Sequence, residues 1–161
     1  MRAVSSEPSL SDVVRALDDA DPRDTAEVLA LLWDGLCRSR LIGLCLAAQD
    51  QRHARLQGNA EAVEHSFATA LRGSSALAGR SLELPSGGSD DADPRERGDD
   101  ADALLALFAD TAQRVALSAS AHAERWTDHR ACANASTLAT ELREAWLGNR
   151  PSYRHVPSRR R

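Results

Sequence analysis

The chain has 161 residues, a net charge of −4, 42% hydrophobic residues and 4% aromatic ones. That length can bury a core without disulfide or metal staples, and the acidic balance excludes a nucleic-acid binder that works through overall basicity. All 20 basic residues are arginine, which removes every lysine-based mechanism, Schiff bases and the P-loop lysine included.

The lack of lysine reads as the mark of a high-GC bacterial genome rather than of chemistry. Alanine, leucine and arginine dominate and β-branched residues are sparse, a mixture that favours helices over strands. No segment carries a strand or hairpin pattern. The expected fold is all-α: an up-and-down helical bundle of four to five helices with a long acidic loop.

Residues 1–9 read as a flexible N-terminal arm. "SLSDVVRAL" then starts a short helix with Ser9 or Ser11 as N-cap, and Asp21-Pro22 marks the turn after it. Asp24 or Thr25 caps a long helix expected to run to about Gln57. Val28, Leu32, Leu36, Ile42 and Leu46 keep its period, and Leu29, Leu31, Leu41 and Leu44 widen the stripe, which places it centrally. Gly35 and Gly43 permit a kink or a close neighbour. Glu27, Asp34, Arg38 and Arg40 make this apolar stretch a buried helix rather than a membrane span.

"QGN" at 57–59 is expected to break the chain, with Asn59 capping a helix from Ala60 to about Leu84. Its buried stripe would be Val63, Phe67, Ala70, Leu71, Ser74, Leu77 and Ala78. His65, Thr69 and Arg72 would face solvent or a partner. Residues 85–100 have no apolar period and read as an acidic flexible linker inside a single bundle domain spanning 10–147. Leu104, Leu105, Phe108, Val115, His122 and Trp126 mark a helix from about Ala101. Leu138, Leu142 and Trp146 mark a last one. A tight turn is expected between them within "TDHRACANAS" (127–136), with one continuous helix over 101–147 as the alternative. "GNRP" stops the helix, and 148–161 read as an Arg-rich disordered tail.

Cys37, Cys45 and Cys132 are odd in number and lack paired spacing, which argues for a reducing compartment. Cys37 and Cys45, eight residues apart on one helix, would lie roughly 12 Å apart and cannot bridge. The first residues contain no apolar leader region, so the expected location is cytoplasmic.

"LRGSSALAG", Leu71 to Gly79, with the approach "QGNAEAVEHSF", resembles the phosphoacceptor helix of histidine-containing phosphotransfer domains over residues 57–79. The resemblance implies an all-helical fold and a face on which a receiver domain docks. Thr69 stands where the acceptor histidine belongs, and Arg72 where the family has lysine. A threonine phosphate ester is far less labile than a phosphoramidate, so the resemblance implies docking without phosphotransfer, on a face made of Thr69, Arg72 and Gly73. The same segment also resembles a tetratricopeptide second helix, with Val63, Phe67, Ala70 and Leu71 in step. The first-helix signature is absent upstream, and no repeat period appears.

The five histidines His53, His65, His122, His129 and His155 form no i+3 or i+4 pair with each other, and no C-x-x-C, H-E-x-x-H or E-x-x-H motif occurs. His129 and Cys132 share a face but need a third ligand from elsewhere. His122 lies on an apolar stripe and reads as a core histidine. Arg150 and His155 have the R-x4-H spacing that resembles a family of helical ribonucleases, although Pro151 argues against an ordered helix there. The expected function is therefore that of a non-catalytic bundle acting through protein–protein contacts, with a protein partner or a second copy, no cofactor, no metal and no membrane. A receiver-docking relic and a ribonuclease using Arg150 and His155 are the alternatives. Weak nucleic-acid contact would be confined to the Arg tail.

Overall fold

A computed structural model describes residues 8–86 and 100–149. The arm at 1–7, most of the acidic linker (87–99) and the tail at 150–161, with Arg150 and His155, lie outside the described residues. The described chain is all-α: α1 (Leu10–Asp19), α2 (Thr25–Ala47), α3 (Gln51–Arg72), α4 (Ala101–Ser120) and α5 (Trp126–Trp146).

Ser9 caps α1 through a capping box with Asp12, which satisfies donors at both ends of the first turn. Asp24 caps α2 by accepting from the Glu27 N–H. Cysteines 37 and 45 both lie on α2, and none of the three cysteines is in a disulfide.

Two boundaries differ from the expectation. The break after α2 falls at Ala48–Asp50, not at 57–59, because Asp50 accepts from the His53 N–H at 2.8 Å and starts α3 there. Gly58 and Asn59 are carried inside α3. Gly58 meets no neighbour, so its cost is only the roughly 1 kcal/mol propensity penalty of a glycine in a helix, outweighed by the packing of Leu56, Ala60 and Val63. At its other end α3 stops at Arg72 rather than Leu84. Gly73 and two serines are poor helix residues, and the Ser74 hydroxyl takes the Leu77 N–H to start a tight turn that closes at Gly79, with φ +85°. Ser74 and Leu77 remain buried as the stripe predicts, while Ala78 is exposed.

The α4–α5 turn is also displaced. It occupies residues 121–125, and "TDHRACANAS" is helical. His122 sits in that turn and is exposed, so it is not a core histidine. The apolar period ran through the turn because Ala119 and Ala131 are buried on either side of it.

The four long helices form a ring in the order α2, α3, α5, α4, and α1 packs across α2 and α4. Neighbours in the ring are antiparallel. The N-termini of α3 and α4 meet through His53 and Asp102, so this diagonal pair runs parallel. The α4–α5 contact is the most extensive. Ala109, Ala112, Ala116 and Ala119 of α4 and Ala131, Ala135 and Ala139 of α5 are all buried, and small side chains let helix axes approach closely.

The two α2 glycines serve close neighbours. A Cβ at Gly35 would lie 2.2 Å from Phe108 Cε2, and one at Gly43 would lie 2.1 Å from Gln57 Oε1 and 2.7 Å from Trp146 Cζ2. Overpacking at such points costs about 1–3 kcal/mol. Gly35→Ala should therefore lower stability by about 2 kcal/mol in urea denaturation despite alanine's better helix propensity. An unchanged or raised midpoint would show that Phe108 does not fill that gap.

Candidate functional site

Two places gather polar chemistry: a buried node between α2 and α3, and an open groove between α3 and α5. The node centres on Arg40, whose side chain is 7% exposed on an otherwise apolar face of α2. Its guanidinium forks onto Glu61 at 2.6 and 3.1 Å, reaches Glu64 Oε1 at 3.0 Å and donates from Nε to the Pro85 carbonyl at 2.6 Å. Gln57 donates to the same Glu64 oxygen at 2.7 Å. Gln57, Glu61 and Glu64 are spaced i, i+4, i+7, so one face of α3 presents all three to Arg40.

One cation shared by two carboxylates cannot neutralise both. Glu61 keeps the charge: the hydrogen bonds from Arg40 hold its carboxyl down at about 2, with help from His65 and Gln57. Glu64 is fully buried, and its Oε2 has no hydrogen-bond partner. Burial pushes it up to about 7 against the pull of Gln57 and Arg40.

The node also holds the returning chain. Leu82 and Leu84 pack on the core, Arg72 Nε donates to the Leu82 carbonyl at 3.0 Å, and Arg40 takes the Pro85 carbonyl. Residues 81–86 thus lie as a strap fixed by two arginines. At the opposite end of the crossover, His53 sits between Asp50 (2.6 Å) and Asp102 (2.8 Å), with Arg52 also on Asp102. Hydrogen bonding to Asp50, reinforced by Asp102, raises the imidazole's pKa. Both ring nitrogens then donate, which is the imidazolium form.

The second place is a groove of about 570 Å³ walled by Ser66, Thr69 and Ala70 of α3, by its C-cap Gly73, and by one side of α5 from Trp126 to Glu141. The turn after α3 anchors its upper end: the buried Asp128 carboxylate accepts from the Ala76 N–H at 3.1 Å, and Ser75 pairs with Thr127. His129 donates from Nδ1 to the Ser120 carbonyl at 2.7 Å, closing the α4–α5 turn. Its other face stacks on the Trp126 indole at 5.4 Å. That indole is 72% exposed.

Of the three residues expected to form a docking face, Thr69 and Gly73 line the groove and Arg72 does not. Arg72 turns to the strap and lies over the Trp33 ring at 5.9 Å. Thr69 donates its hydroxyl to the His65 carbonyl one turn back, and His65 bonds Glu61. His129 and Cys132 gain no third ligand: among the described residues no group of three or more His, Cys, Asp or Glu could hold a metal. Burial raises the Cys132 thiol to about 12 and the Cys37 thiol to about 11, so neither is a thiolate nucleophile near neutral pH. No helix among the described residues is long and apolar enough to cross a membrane.

Sequence reasoning missed Arg40, Glu61 and Glu64 as a unit, and Trp126, Arg130 and Glu141 as a face. The first had a signal: an arginine in step with Leu36 and Gly43, and a Gln-Glu-Glu set at helical spacing. The second was hidden by the misplaced α4–α5 turn, which put Trp126 on a core stripe.

No family model, no curated protein and no solved structure matches this chain.

The node makes stability depend on pH. Folding raises the affinity of Glu64 for its proton from an ordinary 4.5 to about 7. The folded state therefore binds more protons than the unfolded chain in that window, and stability falls as pH rises through it. Glu64→Gln should remove about 2 kcal/mol of that fall between pH 4.5 and 7.5 in urea titrations. A variant with the wild-type slope would show that Glu64 is ionised throughout.

Proposed function

We propose that this chain is a non-catalytic helical bundle that acts through protein–protein contact, in an adaptor or regulatory role, and that the α3/α5 groove is its contact face. One observation carries the reading: Trp126, stacked on His129 and mostly exposed, stands one turn from Arg130, which has no ion-pair partner among the described residues. Tryptophan and arginine are the side chains most often found to dominate binding energy at protein interfaces. The stacking holds the indole in one orientation before any partner arrives, which lowers the ordering cost of binding.

The groove's chemistry supports docking rather than turnover. Hydroxyls of Ser66, Thr69, Thr127 and Thr137 stand beside one guanidinium and one carboxylate, with no imidazole among the lining residues. Nucleophilic catalysis by a hydroxyl needs an adjacent base. The most perturbed carboxylates belong to the node, where they are committed to Arg40 and the strap. Docking of a receiver domain in particular would draw on Thr69 and Gly73 but not on Arg72, whose guanidinium is engaged elsewhere.

Trp126→Ala should weaken capture of the partner at least about tenfold, the loss typical of a hot-spot aromatic, while helical content by circular dichroism stays at the wild-type value. Affinity capture on the immobilised full chain, comparing wild type with Trp126→Ala and Arg130→Glu, checks this. Identical recovery by all three would remove the groove as the contact face.

A further inference from the structure

Resting on the contact reading, we infer that the groove's partner is a second copy of this chain, with α5 packed antiparallel on α5. The groove side of α5 carries the exposed Trp126, Arg130, Asn134 and Thr137 and the half-buried Glu141. At about 100° per residue these five fall within roughly 80° of the helix circumference, so they form one stripe. The stripe is self-complementary. Arg130 and Glu141 are centred on a point midway between Ala135 and Ser136, and Asn134 and Thr137 are centred on the same point.

An isologous two-fold interface requires that what one copy offers at a position be met by what the other offers at the mirrored position. With the axis at that point, Arg130 meets Glu141 of the second copy and Asn134 meets Thr137 of the second copy, each pair formed twice. The two charges lie roughly 16 Å apart along one helix, too far to pair within a copy. Neither has an ion-pair partner among the described residues, although Glu141 is half-buried with its Oε2 enclosed, so it would meet a second copy through Oε1. A parallel arrangement would set Arg130 against Arg130 and Glu141 against Glu141.

The surroundings fit a helix lying there. Ala70 and Gly73 keep the α3 wall of the groove low beside α5, so a neighbouring helix can approach. Trp126 lies one turn outside the charge pair at each end. The antiparallel register sets each indole beside the last turn of the other copy's α5, where Leu147 is half-exposed.

Sedimentation of the full chain tests this with three variants. Wild type should be a dimer that weakens as salt is raised, since salt screens the attraction between Arg130 and Glu141. Glu141→Arg and Arg130→Glu should each weaken it at least about tenfold by placing like charges opposite. The double swap Arg130→Glu with Glu141→Arg should restore it. Recovery in the double swap cannot come from a folding defect in the single variants. A monomer for wild type up to about 100 μM, a concentration that detects even weak association, would overturn the inference. So would a dimer indifferent to Glu141→Arg, or one the double swap fails to restore. The contact reading is judged separately: a monomeric chain whose captured partner is still lost on Trp126→Ala overturns only the second copy. Recovery unchanged by Trp126→Ala overturns the groove itself.

Discussion

A single buried guanidinium sets the terms for this molecule. Arg40 enters an apolar helix and is almost fully enclosed, an arrangement that costs several kcal/mol unless the charge is matched and its donors are filled. Glu61, Glu64 and the Pro85 carbonyl fill them. Those partners come from α3 and from the returning chain, so the one charge fixes the register of α2 on α3 and the path of the strap. Greasy contacts alone would leave both free to slide. The cost is visible in Glu64, which shares a cation already held by Glu61 and is left with an oxygen that has no donor.

The rest of the architecture follows from where the strap and α1 lie. The α3 and α4 helices are parallel across the diagonal, and the described first part of the connection between them lies against α2 and α3 through Arg40 and Arg72. The short α1 covers the α2–α4 side. The α4–α5 seam is closed by alanines and pinned by His129 on Ser120. The side between α3 and α5 keeps a groove, and the unmatched side chains Trp126, Arg130 and Glu141 stand along it.

The helical class, the capping of the first two helices and the close neighbours at Gly35 and Gly43, one of two readings open there, were legible in the sequence. Each rests on local chemistry: propensity, a side-chain oxygen before an apolar run, a glycine on a crowded stripe. The breaks at Ala48–Asp50 and at 121–125 were not legible. Ala48 and Gln49 look helical, and only Asp50 distinguishes the true start of α3, whereas the "QGN" stretch carries louder punctuation and is overridden by packing. The α4–α5 turn contains neither glycine nor proline, so nothing in "AHAER" marks it. Thr69, Arg72 and Gly73 were all placed correctly as exposed. That Arg72 turns away from the groove was not legible, because its partners Leu82 and Trp33 are distant in sequence. The Arg40 node depends on three segments meeting, which spacing within any one of them cannot reveal.

If Arg40 and Glu64 are one coupled unit, removing either should make the other's removal nearly harmless. A double-mutant cycle with Arg40→Met and Glu64→Gln, read by urea denaturation at pH 7.5, measures that coupling directly. Arg40→Met alone should cost on the order of 3 kcal/mol, because it strands buried carboxylates and frees the strap. The double variant should recover a large share of that loss, giving a coupling energy of about 1–2 kcal/mol. Losses that simply add, with a coupling energy near zero, would contradict the claim that this buried charge organises the bundle.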